Sequence, residues 1–513
     1  MSTEYILSHD LGTTGLKSCI YNSDGVLIGN KYKPYKTYYP KPNFAEQEPE
    51  EWWHNICFCT NELIKELQIN ASEIECVCLS GHMNGVVLVD EKGNLVKKRV
   101  FLWADSRSKK QSDYIEDLIG YENFFHITGG GLDTVMYPAA KLLWIKENEP
   151  EIFKRTYKVL GTKDYILFKL TGKLLTDFSD ASGSGLMDIK KRVWSSEILN
   201  ALSIKKSILP DVYHSFELAG EVTREASSNT GLKKGTKVVI GGGDVVCASV
   251  GAGAVGLNDS YFNIGSASWV SKNFKEPLLD LKSRPINLCH IVRDLYASQV
   301  IMYGGGISYQ WIINIVGDLE RHCADLINES LYDLIEIKIN NKEEDLENLI
   351  FLPFLRGGGA PYFNMDARGL FIGLSLSHKK EDLIMAVLEG TALNLRSLFS
   401  FLENGKRDKN DIIIIGGGAL SNNWCQIIAD ICYKDILRYT NSQAATSFGA
   451  AVTGGVGVGI FNDFNIVNNL LEVNNTFYPR PDKLERYEKL YSIFLEVNRS
   501  ANDLFKKIAA INN

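Results

Sequence analysis

Short apolar runs that end in acidic, glycine or hydroxyl residues recur along the chain. The first run ends at Asp10, a tight turn of glycine and threonine follows, and a second apolar run begins after Lys17. This alternation predicts two strands joined by a hairpin turn. Further runs that end in polar residues lie at 76–80, 86–90 and 100–103. Because open α/β sheets bind ligands at the ends of their strands, we expect these polar loops to gather at one end of a sheet.

The same alternation returns from residue 238 onward. Three apolar runs there end in an acid or in a glycine turn: Asp244 after 238–243, Gly265-Ser266 after 261–264, and Gly416-Gly417-Gly418 after 412–415. This internal repeat suggests two related halves. We predict two domains, 1–250 and 251–513, without a flexible linker between them.

The composition excludes several classes of partner and site. The 513 residues carry a net charge of −7, which argues against non-specific nucleic-acid binding. The N-terminus shows no basic segment followed by a long apolar one, and the apolar run 238–257 is rich in glycine and interrupted by Asp244. The ten cysteines are scattered, and their closest pairs are spaced CxC rather than the CxxC of zinc sites. We therefore expect a cytoplasmic protein with free thiols and with neither a nucleic-acid nor a membrane partner.

The first glycine turn offers groups that suit a phosphate. Backbone N–H groups and the hydroxyls of Thr13 and Thr14 can bind phosphate oxygens. Lys17 adds a positive charge, and Asp10 is placed to serve Mg²⁺. An ordinary hairpin turn is the alternative for this stretch alone. The joint appearance of such turns in both halves, with strand-end acids at Asp10 and Asp244, favours a site for ATP with its phosphates between opposed hairpins.

Two common nucleotide motifs are excluded. No GxxxxGK[ST] sequence occurs, so the chain has no P-loop. The segment 251–256 matches GxGxxG, but a dinucleotide site needs a strand before the first glycine and a helix after it. Here the strand follows, and we interpret these glycines as positions of close helix packing.

Two longer segments resemble the signatures of the FGGY carbohydrate kinases. The segment 136–148, MYPAAKLLWIKEN, is similar to the first signature throughout its length. The segments 369–374, GLFIGL, and 382–390, DLIMAVLEG, are together similar to the second. The resemblance covers essentially the whole chain and is closest to the xylulokinase branch. It implies an α/β fold with two ribonuclease-H-like (actin-like ATPase) domains flanking a deep catalytic cleft, and transfer of the ATP γ-phosphoryl group to a sugar or polyol hydroxyl.

The resemblance also implies a role for each matching residue. Asp244 resembles the catalytic base, which also contacts the acceptor, and Asp10 resembles the catalytic acid residue that holds Mg²⁺ through water. The positions that resemble nucleotide and phosphate contacts are Gly12, Thr13, Thr14, Lys17, Gly265, Ser266, Gly305, Gly306, Gly417, Gly418 and Asn422. The positions that resemble acceptor contacts are Met83, Asn84, Trp103, Asp105 and Arg107. ATP and Mg²⁺ are therefore the expected cofactors, and a homodimer is compatible with the family although the residues show no interface pattern.

One position departs from the family's pattern. Xylulokinases typically carry Met-His-Gly in the acceptor loop, whereas this chain has Met83-Asn84-Gly85, with a histidine displaced to His82. Asparagine donates and accepts hydrogen bonds with a reach that differs from that of imidazole. D-xylulose is the leading acceptor, while glycerol, erythritol, gluconate and ribulose stay open. His82 is either an acceptor contact or a structural hydrogen-bonding residue.

A catalytically silent sugar- or nucleotide-binding protein is the alternative from another class. Such proteins usually lose the base or the metal-binding acid, and this chain keeps Asp10, Lys17 and Asp244. An actin- or chaperone-like ATPase would share the hairpin turns but not the two signature segments. The sequence therefore predicts a kinase in which Asp244 accepts the proton of the attacking hydroxyl.

Overall fold

A computed structural model describes residues 4–340, 349–360, 362–403 and 411–511. The chain divides into two compact units, and each unit draws on three separate segments. Unit 1 consists of Met1–Leu257, Asn273–Ser298 and Ala444–Leu471, and unit 2 consists of Asn258–Lys272, Gln299–Gln443 and Glu472–Asn513. The division into domains at residue 250 stays a prediction. The units add to it that two later segments pack with the first part of the chain.

Unit 1 is built on a six-stranded sheet. The strands before residue 258 are, in chain order, β1 (Tyr5–Leu11), β2 (Gly15–Asn22), β3 (Leu27–Pro34), β4 (Glu46–Gln47), β5 (Ile74–Gly81), β6 (Val87–Val89), β7 (Val100–Phe101), β8 (Lys158–Leu160), β9 (Leu175–Asp177), β10 (Met187–Asp188), β11 (Val193–Trp194), β12 (Asp211–Tyr213), β13 (Leu218–Glu221) and β14 (Lys237–Gly243). The sheet has the order β13-β14-β5-β1-β2-β3. β5 lies parallel to both β1 and β14, and its nearly continuous burial is typical of a strand covered on both faces.

The helices of unit 1 pack against this sheet and form a second core beside it. Those before residue 258 are α1 (Pro49–Glu66), α2 (Lys109–Ile119), α3 (Tyr121–Thr128), α4 (Pro138–Asn148), α5 (Pro150–Arg155), α6 (Thr162–Thr171), α7 (Phe178–Ser182), α8 (Ser196–Ala201), α9 (Arg224–Thr230) and α10 (Asp244–Gly251). One core lies between the sheet, α1 and α6, and contains Leu7, Trp52 and Tyr165. The other contains Phe124, Leu142 and Ile198 from α3, α4 and α8.

Two of the predicted strands lie outside the large sheet, so the expectation of polar loops at one end of a single sheet was too simple. β6 pairs with β8, and β7 pairs with β4, each as a two-stranded ladder. Alternate residues of these runs pack in two different cores: Val86, Leu88 and Phe101 belong to the helical core, whereas Val87 and Val89 belong to the core of the large sheet. The short strands therefore lie between the two cores and pair outside the large sheet.

The remaining elements build unit 2 and complete unit 1. In chain order they are β15 (Ser260–Ile264), β16 (Ser268–Phe274), β17 (Ile286–Cys289), β18 (Tyr296–Met302), α11 (Gly305–Val316), α12 (Asp318–Ile327), α13 (Leu331–Asn340), β19 (Ile350–Leu352), β20 (Leu370–Ile372), α14 (Lys380–Leu402), β21 (Asp411–Ile415), α15 (Asn422–Cys432), β22 (Asp435–Tyr439), α16 (Ala445–Val458), α17 (Val467–Leu470), β23 (Val473–Phe477) and α18 (Leu484–Ile511). In unit 2, the strands follow the order β18-β16-β15-β21-β22-β23. β15 lies antiparallel to β16 and parallel to β21, which repeats the pattern of β1 between β2 and β5.

The glycines of the GxGxxG match begin at a close helix contact within unit 1. α10 crosses α16 so tightly that a Cβ atom on Gly251 would lie 1.7 Å from the carbonyl oxygen of Ala445. A Cβ atom on Gly449 would likewise lie 1.8 Å from the carbonyl oxygen of Cys247. The interpretation of Gly251 as a packing glycine is confirmed.

One described helix, α14, is long and apolar enough to cross a membrane by length and composition. The share of its apolar window that is buried inside the protein is 78%, as in a core helix. The ten cysteines are free in the structure, as the scattered spacing predicted.

Candidate active site

The turn between β1 and β2 is held by side chains from the loops around it. Gly12 donates its N–H to the carbonyl oxygen of Gly15 at 3.0 Å. The Tyr35 hydroxyl donates to the Gly12 carbonyl oxygen, and the Gln47 amide donates to the Thr13 carbonyl oxygen at 2.8 Å. These bonds fix the backbone on which the predicted phosphate contact depends.

The predicted phosphate-binding side chains of this turn keep accessible surface. Thr14 is exposed, and Gly12, Thr13 and Lys17 are half-buried. Lys17 lies directly opposite Asp10 in the antiparallel ladder. The turn therefore combines a positive charge, two hydroxyl groups and a carboxylate within a few residues.

Asp10 lies near the end of β1 in an environment that disfavours its charge. Burial raises the pKa of its carboxyl group to about 6, although Lys17 acts in the opposite direction. In the described part of the chain, its Oδ1 atom has no hydrogen-bond partner. A buried oxygen without a partner is costly, and a divalent cation with its bound water can supply one. Asp10 therefore fits the predicted place beside Mg²⁺.

The carboxylate of Asp10 is a kind of ligand that Mg²⁺ uses in proteins. The described residues contain no group of three or more His, Cys, Asp or Glu side chains placed to hold a metal ion. Mg²⁺ keeps several waters and is usually bound by one or two carboxylates together with substrate phosphates. A site with Asp10 as its carboxylate agrees with that preference.

Asp244 is the first residue of α10 and follows a bulge in β14. The register of β14 against β5 shifts between Val239 and Gly242, and Gly241 has a φ of +78°. A Cβ atom at Gly241 would lie 1.8 Å from the carbonyl oxygen of Leu79, so only glycine fits there. The bulge thereby sets where the strand ends and Asp244 begins the helix.

The electrostatic environment of Asp244 suits a general base. The pKa of its carboxyl group is raised to about 7, mainly by burial and in addition by the negative charge of Asp10. Its Oδ1 atom accepts a hydrogen bond from the Val245 N–H at 2.9 Å. A carboxylate with a pKa near neutrality can take a proton from a substrate hydroxyl at physiological pH.

The Met83-Asn84 loop lies next to this acid. A Cβ atom on Gly243 would lie 2.5 Å from the Met83 sulfur, so Met83 packs on the residue that precedes Asp244. Asn84 has a φ of +62°, a conformation that asparagine adopts more readily than most residues. The Asn84 Oδ1 atom is buried and lacks a hydrogen-bond partner among the described residues. This loop therefore presents an amide oxygen that can accept a hydrogen bond from a bound molecule.

Lys141 anchors the backbone of the Met83-Asn84 loop. Its Nζ atom donates to the carbonyl oxygens of Asn84 at 3.0 Å, Leu102 at 2.7 Å, Met136 at 3.1 Å and Trp103 at 3.2 Å. Its side chain is fully buried. The ammonium group thus joins the two loops in which acceptor contacts were predicted.

Trp103, Asp105 and Arg107 do not share one environment. The indole N–H of Trp103 donates to the Thr13 hydroxyl at 3.1 Å, and the side chain is half-buried. Asp105 is fully buried and pairs with Arg107 at 2.6 Å. Arg107 also pairs with Glu46 at 2.6 Å and is 3% exposed. In the structure, Arg107 is therefore ion-paired with both Asp105 and Glu46. The acceptor role of Asp105 and Arg107 stays a prediction.

His82 has a structural environment. Its Nδ1 atom shares a hydrogen bond with the Thr162 hydroxyl at 3.2 Å, and its ring meets Trp52 edge-on at 5.7 Å. Burial lowers the pKa of His82 to about 4, so the ring is neutral at physiological pH. These contacts account for Nδ1 and the ring face, whereas Nε2 is buried without a hydrogen-bond partner among the described residues, so both interpretations of His82 stay open.

Unit 2 contains a cavity of about 520 Å³ beside the second glycine turn. Of the predicted nucleotide contacts, the cavity is lined by Gly265, Ser266, Gly306, Gly417 and Gly418. The Gly306 N–H donates to the Gly265 carbonyl oxygen at 2.7 Å, which joins the turn to the start of α11. The structure therefore brings these five residues together.

Two of the predicted nucleotide contacts lie apart from the cavity wall. A Cβ atom on Gly305 would lie 1.9 Å from the Ser268 hydroxyl, so Gly305 is a packing position between α11 and β16. Asn422 is exposed, whereas its neighbour Ser421 lines the cavity and donates to Glu336. Their nucleotide role stays a prediction.

The sequence interpretation missed several residues of this region. The aromatic side chains of Tyr309, Tyr332 and Trp424 line the cavity together with Glu336. No local motif marks them, because they come from three helices far apart in sequence. Lys141 was quoted only as part of a signature, and its carbonyl partners could not be read from its neighbours.

The profile of the FGGY family of carbohydrate kinases, N-terminal domain, matches residues 5–251, and that of the C-terminal domain matches residues 273–458. The xylulose kinase of Lactococcus lactis is 30% identical over 513 residues, which cover 99% of each chain. The gluconokinase of Bacillus licheniformis is 28% identical over 508 residues, which cover 99% of this chain and 98% of that protein.

A solved structure supports the same relationship. The ligand-bound xylulose kinase of Lactobacillus acidophilus superposes with a TM-score of 0.89 at 25% identity, over 98% of this chain and 100% of that chain. This match confirms the predicted fold class, α/β with two ribonuclease-H-like domains of the actin-like ATPase type.

Proposed function

We propose that this chain, which belongs to the FGGY family of carbohydrate kinases, transfers the γ-phosphoryl group of ATP to D-xylulose and forms D-xylulose 5-phosphate. The carbohydrate kinase activity follows from membership of the family, and its members use ATP. The acceptor, the roles of individual residues and the use of Mg²⁺ are the proposed part.

The observation that carries the proposal is the acidic pair at the ends of β1 and β14. Asp244 has a pKa near 7 and Asp10 a pKa near 6, both because they are buried. Asp244 accepts the proton of the acceptor hydroxyl as that hydroxyl attacks the γ-phosphorus. Positioned proton transfer of this kind is worth roughly 10²–10⁴-fold in rate.

The other residues of the first turn bind and neutralise charge. Lys17 and the turn N–H groups between Gly12 and Thr14 stabilise negative charge on the transferred group. Asp10 would hold Mg²⁺ through water, and the bound ion would neutralise charge on the β- and γ-phosphates. In unit 2, the cavity beside Gly265 and Gly417 has the volume and the aromatic lining that suit a nucleoside.

The charges around the acceptor loop support a neutral acceptor over an aldonate. Lys141 is engaged by four carbonyl oxygens, and Arg107 is engaged by Asp105 and Glu46. Lys163, which lies behind the loop, is engaged by three carboxylates. The carboxylate of gluconate would find none of these three cations free, whereas a ketose needs only hydrogen bonds from groups such as Asn84. Gluconate is the second candidate, because gluconokinases match over the full chain at similar identity.

The proposal is tested by measuring ADP release with Mg·ATP across D-xylulose, D-ribulose, gluconate, glycerol and erythritol. We expect the highest kcat/KM with D-xylulose. Asp244→Asn should lower kcat for that acceptor by roughly 10²–10⁴-fold and leave nucleotide binding intact. A higher kcat/KM for gluconate than for D-xylulose would contradict the assignment of D-xylulose as the acceptor. Acceptor-dependent turnover that survives Asp244→Asn would contradict the assignment of Asp244 as the base.

A matched variant tests the loop. Asn84→His restores the residue that is usual in xylulokinases, and we expect it to change KM for the acceptor without changing KM for ATP. If both Michaelis constants were unchanged, Asn84 would not contact the acceptor.

A further inference from the structure

A buried charged cluster in unit 1 has no place in the proposed reaction. Lys163 is fully buried and its Nζ atom lies 2.6 Å from Asp164, 2.8 Å from Asp177 and 3.1 Å from Asp180. A buried cation is costly unless it is paired and hydrogen-bonded. The cluster meets that condition, but it is an expensive way to build a core. Its geometry toward the neighbouring residues indicates what it does.

Asp177 is the member of the cluster that extends toward the active site. Its Oδ2 atom accepts hydrogen bonds from the Ser179 N–H at 2.8 Å and from the Ser215 hydroxyl at 2.7 Å. The Ser179 hydroxyl also donates to it. Although burial opposes ionisation, Lys163 and these donors hold the pKa of Asp177 below its usual value. Asp177 is therefore a fixed negative charge that orients two hydroxyl groups.

The Ser179 hydroxyl connects this charge to the catalytic base. Because its hydrogen is donated to Asp177, its oxygen is free to accept, and it accepts the Gly243 N–H at 2.9 Å. Gly243 precedes Asp244 and is the cap residue of α10. The N–H of Gly243 and the Ser179 hydroxyl are both buried, so loss of this bond would leave a backbone donor without a partner.

The packing around this bond leaves the end of β14 little freedom. A Cβ atom on Gly242 would lie 3.3 Å from the Ser179 oxygen, and one on Gly243 would meet Met83. A shift of Ser179 would therefore move the backbone that carries Asp244. Displacement of a catalytic group by about 1 Å can cost roughly 10²-fold in rate.

We propose that Lys163, Asp177 and Ser179 form a positioning device that fixes the Asp244 carboxylate through the Gly243 N–H. This inference rests on the proposed function, because it takes Asp244 as the base. In this role the three residues are positioning residues. They act through the backbone that precedes the base.

The test compares two serines that share one partner. Ser179→Ala and Ser215→Ala each remove a buried hydroxyl that donates to Asp177 Oδ2, but only Ser179 also accepts the Gly243 N–H. We expect Ser179→Ala to lower kcat for D-xylulose by about 10–100-fold with KM for ATP unchanged. Ser215→Ala should lower kcat by less than about threefold at a similar loss of Tm.

The pH profile gives a readout that a structural role alone would not move. Burial is the main reason why the pKa of Asp244 is raised, and a loosened helix start admits water. In Ser179→Ala the midpoint of kcat against pH should therefore move to lower pH by about half a unit or more. Ser179→Thr, which keeps the hydroxyl, should restore most of kcat.

Equal losses of kcat in Ser179→Ala and Ser215→Ala, with unchanged pH midpoints, would overturn the positioning role. If Ser179→Ala does not fold, Asp177→Asn replaces it, with the same expected fall in kcat and the same contradicting result. Asp244→Asn is measured in parallel. If Asp244→Asn abolishes turnover while Ser179→Ala behaves as the unchanged protein, only the positioning role fails. If Asp244→Asn keeps its turnover, the proposed base itself is wrong.

Discussion

The two glycine hairpins of the molecule have the same backbone arrangement but differ in the charge of their residues. In unit 1, Asp10 stands two residues before Gly12 and faces Lys17 across the ladder. In unit 2, the equivalent position two residues before Gly265 is Asn263, which faces Trp269. Each first strand also has a parallel neighbour, β5 for β1 and β21 for β15. The same local fold thus places an aspartate opposite a lysine in one unit and an asparagine opposite a tryptophan in the other.

This difference assigns different tasks to the two hairpins. A carboxylate beside a turn disfavours a bare phosphate unless a cation accompanies it, so the first hairpin suits a phosphate together with Mg²⁺. The second hairpin offers backbone N–H groups and hydroxyls, and its strand-end residue is the uncharged Asn263. Its cavity, lined by Tyr309, Tyr332 and Trp424, suits the uncharged part of a nucleotide. We therefore expect the reacting groups to be concentrated at the first hairpin and the second hairpin to bind the nucleotide.

Exchange of the two strand-end residues should have the largest effect. Asp10→Asn gives the first hairpin the residue of the second, and we expect kcat for D-xylulose to fall by roughly 10²–10³-fold because electrostatic stabilisation is lost. Asn263→Asp places a carboxylate at the second hairpin, and we expect it to raise KM for ATP severalfold with a smaller change in kcat. Steady-state kinetics with varied ATP and Mg²⁺ measures both.

The pair of variants contradicts the comparison if the two effects are alike. A kcat in Asp10→Asn close to that of the unchanged protein would mean that the first hairpin only binds. A fall of kcat in Asn263→Asp as large as in Asp10→Asn would mean that the second hairpin takes part in the chemistry. The double variant shows whether a carboxylate at either hairpin suffices.

The second prediction concerns the backbone of the second hairpin. A Cβ atom on Gly306 would lie 2.6 Å from the carbonyl oxygen of Gly265, so the turn would have to move. We expect Gly306→Ala to raise KM for ATP by about tenfold and to leave KM for the acceptor unchanged. At Gly417, where a Cβ atom meets nothing within 4 Å, alanine should leave Tm unchanged and raise KM for ATP less. Equal Michaelis constants for ATP in the two variants would show that displacement of the turn backbone does not cause the weaker binding of ATP.

Sequence patterns predicted the hairpins well because all their signals are local. An apolar run, a glycine turn and an acid lie within a few residues at Asp10, and the same holds at Asp244. The partners of Lys141 could not be predicted in this way, since two of its carbonyl acceptors lie 57 and 39 residues away. The link from Ser179 to Gly243 spans 64 residues. Such contacts depend on tertiary packing, which no single segment encodes.

The same limit explains why some predicted site residues have a different environment in the structure. Asp105 and Arg107 follow a strand end, as ligand-binding residues do, yet they pair with each other and with Glu46 in a buried position. A sequence shows that charged residues lie near a loop, but it does not show whether another charge already occupies them. Asn422 and Ser421 illustrate this on a smaller scale, because a helix start exposes one and turns the other toward the cavity.

The third prediction uses pH to separate the hairpins. Asp244 must be ionised to accept a proton, so kcat/KM for the acceptor should fall as the pH drops below about 7, the pKa to which burial and Asp10 raise it. Because the strand-end residue of the second hairpin is Asn263, we expect KM for ATP to change little over this range.

Asp10→Asn sharpens this prediction through the residual activity of the variant. Removal of the Asp10 charge removes the second cause of the raised pKa of Asp244, so the midpoint should move to lower pH by about half to one unit. An unchanged midpoint would mean that the two acids do not interact, and the first hairpin would then differ from the second by a metal ligand alone rather than by a coupled pair.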